Sequence, residues 1–179
     1  MAKVRLNREI KAFCPDFRPI RKLLRSIGAT RVGVKSQTDY FYHLPKPAGG
    51  RTSRRLKLRL QSGGSHFVYY YDRNQSGTRS VEFQLFPLRD PKVKTLLEAA
   101  LGVKAIVRKR REVWRRGNAK FHLDTVDSVG QVFEVELELA AARSRHLSQQ
   151  LARYGALFGP YLGPEIIGSN EDLVAARTR

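Results

Sequence analysis

The segment FEVELEL alternates without a break: Phe133, Val135, Leu137 and Leu139 fall on one side, Glu134, Glu136 and Glu138 on the other. A period of two is the repeat of a β-strand, whose successive side chains point to opposite faces. RRLKLRL repeats the pattern with the opposite charge, setting Leu56, Leu58 and Leu60 against Arg55, Lys57 and Arg59. A chain built from such segments buries one face of its sheet and leaves the other to water or to a ligand.

More segments follow the same rule. Near the start, Val4, Leu6, Arg8 and Ile10 oppose Asn7, Glu9 and Lys11. KFHLDTV sets Phe121 and Leu123 against His122 and Asp124, and IVRKRREVW gathers Lys109 and Arg111 on one side. KSQTDYFYHL is another strand-like run, and HFVYYYDR and RSVEFQLF flank NQSG as a hairpin. Three helices interrupt them. The first is capped by Asp16 and ends at Gly28, with Phe17, Ile20, Leu24 and Ile27 as its apolar stripe. The second has Asp90 as cap and Pro91 at its first position, and ends at Gly102. The third covers about 141–154, and a short helix is expected near 171–176. The order is strand, helix, four strands, helix, three strands, helix, which predicts an antiparallel meander in a single domain over 1–179. Alternation alone allows an open sheet with its charged face in water, the commoner arrangement, or a closed barrel with that face inside.

The charged face is strongly basic. Lys plus Arg number 34 and Asp plus Glu 16 in 179 residues, a net charge of +18, which points to a polyanionic partner. Cys14 is the only cysteine, so no internal disulfide forms, and it is expected to be a small buried apolar residue in a reducing compartment. No apolar run reaches the ~20 residues of a membrane span, and the N-terminus lacks the apolar middle of a secretory signal. A soluble cytoplasmic protein is expected.

Lys11, Arg55, Lys57, Arg59, Arg73, Lys109 and Arg111 come from four strands, and a dense polyanion supplies the counter-charge that lets them approach. Carboxylates repel phosphate, so Glu9, Glu134 and Glu136 on the same faces need a reason of their own. A hard divalent cation gives one, because Mg²⁺ or Mn²⁺ bridges carboxylates to substrate phosphates. Glu134 and Glu136, two residues apart, start roughly 7 Å from each other on one strand face. Other chemistries lack their signatures: there is no Cys/His set with zinc spacing, no phosphate-binding P-loop and no G-x-G-x-x-G.

These pieces resemble the CYTH domain superfamily, the triphosphate tunnel metalloenzymes that include class IV adenylate cyclases and thiamine triphosphatases. NREIK resembles the E-x-E-x-K signature, RLKLRL the phosphate-binding basic strand, and VRKRREVW the Lys-x-Arg strand. FHLDTVDSVGQVFEVELEL resembles the late acidic hairpin, while QTDYFYHL, YYYDRNQSGTRSVEF and IIGSNEDLV extend the likeness over nearly the whole chain. The resemblance implies an α+β fold: an eight-stranded antiparallel closed β-barrel forming a tunnel, with helices packed outside. It implies catalytic roles for Lys11, Arg59, Lys109 and Arg111, and substrate binding by Arg55, Lys57, Arg73 and Arg79. It assigns Glu9, Asp124, Glu134 and Glu136 to Mg²⁺ or Mn²⁺. The implied activity is metal-dependent chemistry on a triphosphate-bearing small molecule, either hydrolysis or conversion of ATP to cyclic AMP. Asn7 stands where the signature has its first Glu, and Asn170 where the C-terminal element has Tyr. The rival expectation is a non-catalytic module for RNA, DNA or polyphosphate, with Arg21, Lys22, Arg25, Arg115, Arg116, Arg143 and Arg145 as outer contacts. A homodimer through the outer helices is compatible with either.

Overall fold

Each alternating segment does form a strand. A computed structural model describes residues 4–45, 54–73, 80–138 and 144–177. In chain order the elements are β1 (Val4–Phe13), α1 (Phe17–Ser26), β2 (Thr30–Tyr42), β3 (Arg55–Gln61), β4 (His66–Arg73), β5 (Ser80–Leu88), α2 (Val93–Leu101), β6 (Val103–Arg116), β7 (Ala119–Val126), β8 (Gly130–Glu138), α3 (Ser144–Phe158) and α4 (Asn170–Arg177). Asp16 caps α1, its carboxylate accepting from the Arg18 N–H at 2.9 Å, and Gly28 leaves the helix at φ 75°. Asp90 accepts from the Lys92 N–H at 2.8 Å, but regular helix begins only at Val93. The intervening turn is tighter, with Lys94 N–H on the Pro91 carbonyl and Thr95 N–H on that of Lys92.

The strands pair antiparallel in the cyclic order β1-β5-β4-β3-β2-β6-β7-β8, and β1 also pairs β8. Two meanders, β2 to β5 and β6 to β8, pair strands that follow one another in sequence. The pairings of β2 with β6 and of β1 with β5 and β8 join strands far apart in sequence, which a meander does not contain.

The expected fold, an eight-stranded closed tunnel with its helices outside, is corrected in two respects. First, eight strands do not close the wall along its whole length. The described β1–β5 seam pairs only Val4–Arg8 with Ser80–Gln84. Farther along, the free edge of β1 is covered by the chain between α3 and α4. Gly163 N–H donates to the Phe13 carbonyl at 2.9 Å, Ile166 N–H to that of Lys11 at 2.9 Å, and Phe13 N–H to that of Pro164 at 3.1 Å. An edge strand carries unpaired amide groups that need such partners. Second, the bore has a stopper. Register puts Phe13, Phe41, Val107, Val126 and Val132 on the same wall face as Lys11, Asp39, Lys109 and Asp124. These apolar residues meet Ile166 and, from α4, Leu173 and Val174, closing that end with an apolar plug. The space inside is a blind pouch.

The main core lies outside the wall. Phe121, Leu123, Phe133, Val135 and Leu137, from β7 and β8, pack against Phe17, Ile20 and Leu24 of α1 and Leu147, Leu151, Tyr154 and Phe158 of α3. Cys14 is buried in this core, as expected of a small apolar residue. Among the described residues no helix is long and apolar enough to cross a membrane.

Candidate active site

Because β-strand side chains alternate, covering the apolar face of β7 and β8 with helices turns their charged face inward. A cavity of about 430 Å³ results, lined among others by Glu9, Lys11, Lys57, Arg59, Lys109, Arg111, His122, Glu134 and Glu136. Eight of the twelve residues singled out from sequence therefore share one space.

The carboxylate wall is set by register. On β8, Glu134 lies between Lys11 of β1 and His122 of β7, while Glu136 lies between Glu9 and Lys120. Lys11 Nζ is 3.4 Å from Glu134 Oε2, and Arg111 Nη2 is 3.3 Å from the same oxygen. Burial alone would raise the Glu134 carboxyl, but Lys11 and Arg111 hold it well below the usual range. Burial also works against Glu136, where the His122 hydrogen bond prevails and lowers it. Glu9 and Glu136 are direct cross-strand neighbours on the inner face. Like charges so placed repel, and a shared cation removes the repulsion.

The cationic wall is braced by two buried acids. Arg59 holds Asp39 through Nε–Oδ1 at 2.6 Å and Nη2–Oδ2 at 2.7 Å, with Lys57 Nζ 3.5 Å from the same carboxylate. Arg111 holds Asp124 in the same forked way at 2.7 and 2.6 Å, and Lys109 Nζ lies 3.3 Å away. Burial opposes ionisation of both acids, yet Arg59 and Lys57 keep Asp39, and Arg111 and Lys109 keep Asp124, far below the carboxylate range. The lysines pay the opposite toll. Burial, with Arg59 beside it, brings Lys57 down to about 7 against the pull of Asp39. Burial and then Arg111 lower Lys109 to about 8. Both cations are thus poised to gain full charge when an anion arrives.

Two expected residues stand apart, Asp124 and Arg55. Asp124 is fully buried beneath Arg111 and Lys109, where it orients cations. Arg55 faces the plugged end and is engaged by the α4 segment: it donates to Ser169 Oγ, to Glu171 Oε2 at 2.8 Å and to Asp172 at 3.0 and 3.1 Å. Arg73 lies at the end of β4, where only its backbone register, opposite Val81, is described. Arg79 lies outside the described residues. Of the outer cations, Arg21 binds the buried Glu112 at 2.9 Å and Arg25 sits over the Trp114 ring at 5.7 Å, so both hold α1 to β6.

Other lining groups were not anticipated. Asp39 and Gln37 alternate along β2 as regularly as Lys57 and Arg59 do along β3, so the period was there to be read in KSQTDYFYHL. Gln37 Nε2 donates to Gln61 Oε1 at 3.0 Å across the β2–β3 pair. Ser169 and Asn170 reach the cavity from the C-terminal segment, and no strand pattern announces them. A more open hollow of about 460 Å³, lined among others by Ser36, Gln37, Gln61, Arg108, Lys109 and Arg110, has Asp127 as its one acid among the described residues.

The donors fit a divalent ion. One atom from each of His122, Glu134 and Glu136 lies within 4.8 Å of the others, and such a mixed oxygen and nitrogen set suits a divalent cation.

A family model for the CYTH domain matches residues 5–154. Among solved structures, the PH1012 protein of Pyrococcus horikoshii OT3 superposes with a TM-score of 0.77 at 20% identity, covering 93% of this chain and 98% of that one. A candidate adenylate cyclase of Vibrio parahaemolyticus gives 0.73 at 15% identity, covering 96% and 98%. The Hippeastrum protein HpAC1, described as a candidate adenylyl cyclase with a dominant triphosphatase activity, gives 0.62 at 14% identity, covering 97% and 95%. A search of curated proteins found no match.

Proposed function

Since this chain belongs to the CYTH domain family, whose model spans residues 5–154, we propose that it hydrolyses a terminal phosphoanhydride of a triphosphate-bearing compound bound in the blind pouch. The observation that carries this reading is the meeting of Lys11, Lys57, Arg59, Lys109 and Arg111 with Glu9, Glu134 and Glu136 around one cavity. Cations alone describe an anion trap. Cations facing a carboxylate cluster describe a place where a phosphate chain and a divalent ion meet.

In this reading Arg59 and Arg111, aimed by Asp39 and Asp124, take the phosphoryl oxygens as rigid forks, and Lys11, Lys57 and Lys109 add point charges. Charge gathers on those oxygens as the bond to the leaving group breaks, and cations already fixed in place need no reorganisation to meet it. Glu9, Glu134 and Glu136, with His122, would hold Mg²⁺ or Mn²⁺, which supplies further charge neutralisation at the phosphate oxygens. Water is the nucleophile favoured over a ribose hydroxyl. Of the rings lining the pouch, Tyr69 has Lys57 and Arg59 over its face at 4.5 and 5.2 Å, and Phe41 has Lys57 at 5.6 Å. Cations so placed compete with a nucleobase for those two faces, and Phe67, edge-on to Tyr69 with ring centroids 6.2 Å apart, is the further aromatic ring of the lining.

The test is phosphate release from tripolyphosphate, nucleoside triphosphates and thiamine triphosphate with Mg²⁺ or Mn²⁺, with cyclic AMP measured in the same reactions. Phosphate is the expected product, requiring metal and falling at least ~100-fold in Glu136→Gln. Undiminished turnover in that variant, or cyclic AMP as the main product, would end the proposal.

A further inference from the structure

His122 lies among the carboxylates and is buried to 5% exposure. It is the cross-strand neighbour of Glu134, and its Nε2 stands 3.3 Å from Glu136 Oε2. Two ligands at right angles, each ~2.1 Å from one ion, stand about 3 Å apart, so this separation suits adjacent positions on a shared cation. Among the described residues the other ring nitrogen, Nδ1, is buried without a hydrogen-bond partner, so there the ring is not held between two partners as a structural histidine commonly is. Glu134, the third member of the set, is also reached by Lys11 Nζ at 3.4 Å and Arg111 Nη2 at 3.3 Å.

We infer that His122 is a direct metal ligand and sets the ion preference of the site, favouring Mn²⁺ over Mg²⁺. Mg²⁺ takes near-octahedral sets of oxygen and parts reluctantly with its water, whereas transition ions accept an imidazole nitrogen readily. A His/Glu/Glu set therefore discriminates where an all-carboxylate set would not. This inference rests on the reading that the pouch holds a divalent ion beside a phosphate chain.

The experiment titrates the metal-free full-length chain with Mn²⁺, following the electron paramagnetic resonance of the free ion, with Mg²⁺ as competitor. Wild type is expected to bind Mn²⁺ at least about tenfold more tightly than Mg²⁺. In His122→Gln the Mn²⁺ affinity falls about tenfold and the Mg²⁺ affinity changes little. An unchanged ratio of the two affinities in the variant overturns the inference. A second readout needs no variant: Mn²⁺-loaded wild type should show electron spin echo modulation from a directly bonded ¹⁴N, and its absence also overturns the inference. Tripolyphosphate turnover separates the two readings. Turnover without the nitrogen signal defeats the ligand role alone, and the nitrogen signal without phosphate release defeats the proposed hydrolysis alone.

Discussion

Arg59 and Asp39 form a forked ion pair at 2.6 and 2.7 Å, and both are buried in the wall of the pouch. A carboxylate in that position cannot bind phosphate; its work is to fix Arg59 and to offset Lys57. Removing one partner of a buried pair leaves the other charge uncompensated. Asp39→Asn should therefore lower stability by about 3 kcal/mol, read from the urea midpoint. An unmoved midpoint would show that Arg59 does not depend on this acid.

Lys57 and Lys109 make the pouch sensitive to pH. Their folded values of about 7 and about 8 lie below the ~10.4 of an unfolded lysine. The unfolded chain thus binds more protons in this interval, so their destabilising cost is complete below about pH 7 and fades as pH rises toward ~10.4. Anion binding has the opposite slope, because it needs the charged lysines. Calorimetry of tripolyphosphate near pH 8, in buffers of different ionisation heat, should register proton uptake, and affinity should weaken above that pH. Binding without proton exchange would contradict the lowered lysines.

Arg55 is expected to secure the plug. Its guanidinium joins β3 to Ser169, Glu171 and Asp172, and Glu171 has Lys104 at 2.9 Å as a further partner. In Arg55→Ala, hydrogen exchange across 169–177 should accelerate by at least about tenfold while that of β7 and β8 stays as it was. Unaltered exchange in α4, with a raised KM for substrate, would instead assign Arg55 to phosphate binding.

Phe121 anchors the helices that turn the charged face inward. It is fully buried and meets the rings of Tyr154 at 5.0 Å, Phe158 at 5.7 Å and Phe133 at 6.5 Å. Phe121→Ala should cost about 3–5 kcal/mol in denaturant unfolding. A loss below about 1 kcal/mol would mean that this cluster is not the main core.

Much of the site could be read locally. The two-residue period placed Lys57 with Arg59, Lys109 with Arg111 and Glu134 with Glu136 on common faces, and those faces do line the pouch. Period alone did not say whether the charged faces look inward or outward, because an open sheet and a barrel have the same alternation; the likeness of NREIK and its companion segments to the CYTH domain favoured the inward choice. The C-terminal stopper was less legible. IIGSNEDLV suggested a short helix, but its capture of Arg55, more than a hundred residues earlier, and the packing of Leu173 and Val174 on a cluster drawn from β2, β6, β7 and β8 depend on distant strands.

The sequence by itself determined which side chains travel together, since a strand's geometry is local and every second residue must share a face. Tertiary structure decided which strands became neighbours, bringing β1 beside β8 and β2 beside β6, and therefore which acid met which base. It also decided that one end of the bore is stopped by the chain's own C-terminal segment. Pairing and plugging are contacts between distant segments, fixed by the burial of apolar surface over the whole molecule and not by any single stretch of residues.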